Sequence, residues 1–317
     1  MTEKRPDGSW RDAMPAVGIG SRLRARIRAD GPVRFDAWVD ACLYDPHGGF
    51  YARGARLGPG GAFATAPTLH PAFAAAVVAE AADAGADRVL EVGPGDGSLA
   101  EALVAAGLEV VLLERAEGMR RLQRERLGDA VRWIDDATEA APFDGLVVAN
   151  ELLDALPFRL FADGVEVLVR LDPAGRFTAV PEPRPRSVRT IERAGVEPLL
   201  RGLAVALRHG RLLLIDYVAA AGDPRDPVRT YIGGQHGGDP LQAPGTQDIT
   251  ADVDFTEVRS ILGDAGLVIV TDEPQAAWLR RRGAELPPVA GRTDDGWRMA
   301  RLFDETLPFH VLVAGRP

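Results

Sequence analysis

The chain has 317 residues, of which 46% are hydrophobic and 26% charged, with a formal net charge of −9. That length and composition allow a full buried core and exclude wholesale disorder, a fibrous repeat and a coiled coil. No apolar run approaches the ~18 residues a membrane span needs, and an acidic surface argues against a protein that tracks nucleic-acid phosphates. Lys4 is the sole lysine and Cys42 the sole cysteine, so there is no intrachain disulfide and no cysteine-based zinc site. Cys42 reads as a small buried hydrophobe. The five histidines are scattered without metal-ligand spacing, so no metal site is expected. Residues 1–20 have no apolar signal core; they read as a flexible polar arm, with the cytoplasm as the default compartment.

Arg22–Arg28 fits a short helix stopped by Gly31–Pro32. Phe35, Trp38, Val39, Cys42 and Leu43 follow at the spacing of an amphipathic helix. Then come the turn-rich Tyr44–Tyr51, the glycine-rich Gly58–Pro67, and an alanine-rich helix at Pro71–Ala82. From Arg88 the pattern alternates. Strands are predicted at Val89–Val92, Val110–Leu113, Val131–Ile134 and Leu146–Ala149, and helices at Ser98–Ala106 and Glu117–Leu127. Buried apolar strands alternating with helices imply a parallel sheet with right-handed crossovers. Residues 165–180 read as a hairpin around a DPAG turn, and Pro181–Ser187 as a proline-rich connector. A helix at about 195–208 leads to the strand Leu212–Asp216, and 217–250 reads as a long Gly/Pro-rich loop of the kind that carries function or moves. A helix at Phe255–Ala265, a strand at Leu267–Thr271, a helix at Trp297–Thr306 and a strand at Phe309–Ala314 complete the chain.

The sharpest local signal is Glu91-Val92-Gly93-Pro94-Gly95-Asp96-Gly97, between a strand and a helix. Glycines let the backbone turn tightly and approach a ligand. Dinucleotide enzymes prefer G-x-G-x-x-G; here the third glycine falls one residue early. Glu91 and Asp96 would repel a pyrophosphate but tolerate an ammonium and a sulfonium, which fits S-adenosyl-L-methionine better than NAD. Glu114, at the end of the next strand, can accept both ribose hydroxyls. Trp133 with Asp135 and Asp136, at the end of the third, offers a ring to stack on adenine and an acid for its amino group. Alone, each feature reads as a structural turn or a solvated strand end. Together they occupy the carboxyl ends of three successive strands, where open α/β sheets bind ligands.

The fourth strand runs into Asn150-Glu151-Leu152-Leu153-Asp154. An i, i+3 spacing on a helical turn would put Glu151 and Asp154 on one face. An amide with two carboxylates can hold a cationic or polar nucleophile, and equally can cap a helix and complement its dipole. Tyr217 lines the pocket or simply packs, Arg280–Arg282 reads as a solvated helix face, and Gly233–Gly238 as a surface loop or a substrate flap.

Six ordered blocks make the sequence resemble the MidA / complex I assembly factor 7 family from about residue 20 to residue 315. They are Tyr44–Tyr51 (YDPHGGFY), Gly61–Pro67 (GAFATAP), Glu91–Leu99 (EVGPGDGSL), Ala149–Pro157 (ANELLDALP), Ile215–Tyr217 (IDY), and Asp239–Leu241 with Pro244–Phe255. The resemblance implies a class I SAM-dependent methyltransferase fold, α/β and Rossmann-like, with a seven-stranded mostly parallel sheet. It further implies a helical lid and substrate region at 21–84 and a methyltransferase domain at 85–317 with insertions at about 158–195 and 217–250. Glu91, Gly93, Pro94, Gly95, Gly97, Glu114, Asp135, Asp136 and Asn150 would hold the cofactor, Thr65 and its loop would cover it, and Asn150, Glu151 and Asp154 would face the acceptor. The implied reaction is N-methylation of an arginine in a protein partner, with a respiratory complex I subunit as the family's association and S-adenosyl-L-homocysteine as product. Methylation of a small molecule, or a non-catalytic assembly role, are the alternatives. Neither nucleic acid nor membrane is expected as a partner, and a homodimer is left open. Ala62, Ala66, Thr68, Asp96, Val218 and Asp252 depart from the residues usual in these blocks.

Overall fold

The computed structural model describes residues 18–55, 65–182, 187–218, 227–233, 235–285 and 294–316, with the backbone alone for 294–297. The arm through residue 17, most of the Gly58–Pro67 loop and the side chain of Trp297 lie outside the described residues. Short runs of branched apolar residues form the centre. Their strands are β1 (Arg88–Val92), β2 (Glu109–Leu113), β3 (Arg132–Ile134), β4 (Phe143–Asn150), β5 (Leu207–Tyr217), β6 (Val268–Pro274) and β7 (Phe309–Gly315). Their order across the sheet is β6-β7-β5-β4-β1-β2-β3. β1 to β5 pair in parallel and β7 runs antiparallel to both neighbours. A sheet buried on both faces needs no polar alternation, and Val147, Val148, Leu213 and Leu214 all exclude solvent. This is the seven-stranded, mostly parallel sheet that the family resemblance implies.

The helices are α1 (Ile19–Asp30), α2 (Phe35–Tyr44), α3 (Ala66–Leu69), α4 (Pro71–Asp83), α5 (Ser98–Ala105), α6 (Glu117–Leu127), α7 (Val196–Ala206), α8 (Phe255–Asp264), α9 (Gln275–Arg281) and α10 (Asp294–Leu302). In α6, Glu117 in the first turn and Arg124 and Arg126 in the last complement the helix dipole. Phe73, Leu99, Leu103 and Trp278 pack on one face of the sheet, and Leu200, Leu203, Phe255 and Leu262 on the other. A third cluster joins Phe35, Trp38 and Leu43 of α2 to Phe158, Val167 and Ile249 from beyond the central sheet. The Trp38 indole N–H donates to the Pro240 carbonyl at 3.1 Å, tying α2 to the 240 region.

Three sequence expectations are corrected. The first strand of the 165–180 hairpin divides at Val167: Val165–Glu166 pairs with Phe161–Ala162, while Leu168–Leu171 pairs with Phe177–Val180. The expected loop at 217–250 contains a small antiparallel sheet of Val228–Ile232, Gln235–His236 and Asp248–Ala251. Arg282 is not on a solvated face: its side chain is 6% exposed and pairs at 2.5 Å with the fully buried Glu80.

Candidate active site

A cavity of about 480 Å³ opens at the carboxyl ends of β1 to β4, within the range typical of small-molecule sites. Glu91 reaches it from β1. It is buried, its Oε2 has no hydrogen-bond partner among the described residues, and burial together with Asp96 and Glu114 pushes its carboxyl well above the ordinary range. Gly93, Gly95 and Gly97 have φ of +65°, +55° and +82°, a region costly for residues with a Cβ. Gly93, Pro94 and Gly95 line the cavity. Gly97 is set back as the N-cap of α5, where a Cβ would sit 3.2 Å from Leu127, so its glycine serves packing. Asp96 accepts the Ser98 N–H at 3.1 Å and pairs with Arg126 at 2.9 Å, which accounts for an acid here.

Glu114 lies on the cavity wall with Oε1 accepting the Ala116 N–H at 2.7 Å and Oε2 facing the Gln123 amide at 3.3 Å. Burial raises its carboxyl to about 6 against these hydrogen bonds. Gln123 also donates to the Gly95 carbonyl at 2.7 Å, so one fully buried amide fixes both the glycine loop and the acid. Trp133 departs from expectation. Its indole N–H donates to Gln123 at 2.9 Å, its ring lies under Arg124, and it forms no part of the cavity wall. Asp135 and Asp136 stand at the rim. Asp135 is exposed and paired with Arg120 at 2.6 Å, and Asp136 accepts the Thr138 N–H at 2.8 Å.

β4 delivers Asn150 and Glu151 to the same cavity. Glu151 adopts φ +50°, so it is not on a helical turn; the following 3-10 turn is Leu153–Ala155. The expectation that Asp154 shares a face with Glu151 and meets the acceptor is therefore corrected. Asp154 is buried, off the cavity wall, among Asp216, Asp248 and Glu151. Oε1 of Glu151 accepts the Ala66 N–H and the Asn150 amide, both at 3.1 Å. Burial dominates and raises Glu151 to about 7. Asn150 keeps a buried Oδ1 with no donor among the described residues. The Ala66 contact is made by backbone, so the departure from the usual residue at that position does not remove it. Thr65 lines the cavity, and Thr68 accepts its N–H at 3.1 Å, closing the turn at the start of α3.

Sequence reasoning gave no role to several residues the structure brings in. Tyr44 and Tyr51 line the cavity. Asp216 accepts the backbone N–H groups of Leu153, Asp154 and Tyr217, which locks the turn after Glu151. Arg193 is buried and donates to the carbonyls of Leu153, Ala251 and Asp252. Burial raises Asp216 to about 6 and Asp248 to about 7. Most of these residues sit inside the quoted blocks, which was their signal; Arg193 had none. Tyr217 packs on Phe309, with ring centroids 3.9 Å apart, and stays off the cavity wall.

The chain is similar to the mitochondrial protein arginine methyltransferase NDUFAF7 of Danio rerio, 27% identical over 84% of this chain and 77% of the relative. Its human counterpart is 25% identical, over 77% and 69% of the two chains. Among solved structures, a superfamily protein of Burkholderia thailandensis crystallised with S-adenosyl-homocysteine superposes with a TM-score of 0.83. It is 28% identical, covering 94% of this chain and 92% of that one. A native structure of a superfamily protein from the same organism gives 0.80, also at 28% identity, over 94% and 91%. Residues 73–271, more than half of the chain, match the model of a family of S-adenosyl-L-methionine-dependent methyltransferases, and the chain belongs to that family.

Proposed function

We propose that the protein transfers a methyl group from S-adenosyl-L-methionine to a guanidinium nitrogen of an arginine in a protein partner. The residues fit the cofactor. Two buried oxygens without donors among the described residues, Glu91 Oε2 and Asn150 Oδ1, suit a ligand rich in N–H groups, and the positive-φ glycines leave room for close backbone approach. On this reading Glu91 and Asn150 hold the ammonium end, Gly93–Gly95 the middle, Glu114 the ribose hydroxyls, and Asp135 or Asp136 the adenine edge. Thr65 closes over them. When bound, the cofactor supplies a methyl group on a sulfonium, open to in-line displacement.

The observation that carries the acceptor assignment is Glu151. Its Oε1 is spent on Ala66 and Asn150, while Oε2 takes no hydrogen bond among the described residues. A single free carboxylate oxygen can hold one guanidinium nitrogen and take its proton as the N–C bond forms and the S–C pair returns to sulfur. The rest of the work is alignment and a preorganised field. The naming of the NDUFAF7 relatives as protein arginine methyltransferases supports the same class.

The test is label transfer from S-adenosyl-L-methionine into candidate protein acceptors, with amino-acid analysis of the product. Methylarginine is expected, and Glu151→Gln should lower the rate about 10²–10⁴-fold, the usual worth of a general base, while S-adenosyl-homocysteine binding is retained. A fully active Glu151→Gln, or label on another residue type, rejects the assignment.

A further inference from the structure

Two sequence blocks that the cofactor reading gives no role meet at the cavity. Tyr44 ends α2 and Tyr51 lies in the turn after it. Their rings stack with centroids 5.5 Å apart, and both line the cavity. Neither hydroxyl proton is free. Tyr44 donates to the Ala155 carbonyl at 3.1 Å, and Tyr51 donates at 2.9 Å to Oδ1 of the buried Asp248, which the Pro244–Phe255 block supplies. A phenol whose proton is spent in this way offers a ligand only lone pairs and a π face. Glu151 adds an oxygen, Oε2, that takes no hydrogen bond among the described residues. Asp154, buried near Tyr51, has the buried Asp216 beside it. The cation beside them, Arg193, gives its N–H groups to main-chain carbonyls rather than to either carboxylate.

We propose that the Tyr44–Tyr51 pair, with Asp248 holding Tyr51, is the acceptor-recognition wall of the cavity, and that it selects a cationic side chain carrying several N–H donors. The inference rests on the methyltransferase reading and names the residues that choose the acceptor. A carboxylate or carbonyl group placed against the Tyr51 hydroxyl would meet acceptors and lose its hydration uncompensated; Arg115, which also lines the cavity, lies over the Tyr44 ring and is paired with Asp40 at 2.9 Å. A guanidinium has five donors in one plane and stacks on aromatic faces. Tyr51 is the contact; Asp248 is a positioning residue that acts through it.

The experiment uses the full chain saturated with S-adenosyl-homocysteine, titrated by calorimetry with the blocked amides of arginine, lysine and citrulline. Citrulline keeps the shape of arginine without its charge. The arginine compound should bind about tenfold or more tighter than citrulline, as expected for hydrogen bonds to a charged group. Tyr51→Phe and Asp248→Asn should each bring the two affinities to within about threefold of each other while S-adenosyl-homocysteine affinity is kept, because the charged partner's share is what is lost. Asp248→Glu should restore most of the preference. A purely structural role for Asp248 would weaken both compounds alike and leave the preference standing. Tyr51→Phe keeps the ring, so it reports even if Asp248→Asn fails to fold. Equal binding of arginine and citrulline by the unaltered protein, no binding of either cation, or an unchanged preference in Tyr51→Phe overturns the wall. Lysine binding better than arginine, with the same response to the variants, keeps the wall and rejects the arginine assignment.

Discussion

Glu151 carries opposite demands from stability and from chemistry, and pH separates them. Its carboxyl ionises near 4.5 in an unfolded chain and near 7 here. Burial is the main cause; Asp216 and Asp248 add to it, and the Ala66 and Asn150 hydrogen bonds oppose it. Between those two values the folded state holds a proton the unfolded state has lost, so stability falls as pH rises across that window. The difference corresponds to about 3 kcal/mol. Glu151→Gln should therefore melt close to the unaltered protein at pH 5 and above it at pH 8. A melting curve that is lower at pH 8 would show that the charge is compensated in a way the geometry does not provide. Activity runs the other way. The proton must be absent for Glu151 to accept one, so the rate at saturating cofactor should climb through pH 7, about tenfold per pH unit below it. A rate independent of pH from 5.5 to 8 would remove Glu151 as the base. The positive φ of Glu151, a cost of about 1–3 kcal/mol for a residue with a Cβ, belongs to the same bargain, because it aims the side chain into the cavity.

At the scale of elements, close backbone approach decides where the tyrosine wall stands. Gly118, in the first turn of α6, touches the turn that carries Tyr51. A Cβ there would lie 2.2 Å from the Ala52 carbonyl oxygen and 2.4 Å from the Gly54 nitrogen. Neither can yield as a side chain does, so Gly118→Ala must push the turn away. We expect a loss of about 1–3 kcal/mol from overpacking, read as a lower denaturant midpoint, together with weaker acceptor binding. Unchanged stability would mean the turn shifts freely and does not fix Tyr51. Nothing in the spacing of α6 announces this contact, and the same limit explains much of what the sequence left unseen. The strand ends were legible because β1, β2 and β4 are short and mostly apolar and their ends are marked by Gly93, Glu114 and Asn150. The sheet at 227–251 was not, since its strands are short, polar on one side and broken by Gly/Pro. Trp133 and Asp154 were misplaced for a related reason. An aromatic or an acid at a strand end has two directions open to it. Long-range partners chose between them: Gln123 from α6 for the indole, and the main-chain locks on Asp216 for the turn that carries Asp154.

Across the whole molecule, the cavity lies where the sheet meets the cluster built from α2 and the segments 158–169 and 228–251. Glu91, Glu114 and Glu151 come from the sheet side, Tyr44, Tyr51 and Thr65 from the N-terminal side, and Pro198 and Leu199 from α7. One direct tie across the gap is the hydrogen bond from Ala66 to Glu151. A ligand filling the cavity would touch all three groups at once, so its binding should couple them. At a hundred times its dissociation constant, S-adenosyl-homocysteine should add about 2.7 kcal/mol and raise the melting temperature by roughly 5 °C for a chain of this size. NAD should give no shift, and Glu114→Ala should abolish the response. Hydrogen exchange gives the sharper test. If the ligand bridges the two sides, protection should rise in α2 and the Tyr51 turn as well as at the ends of β1 and β2. Protection confined to the strand ends would mean that the cofactor binds the sheet alone, and that the tyrosine wall closes only when an acceptor arrives.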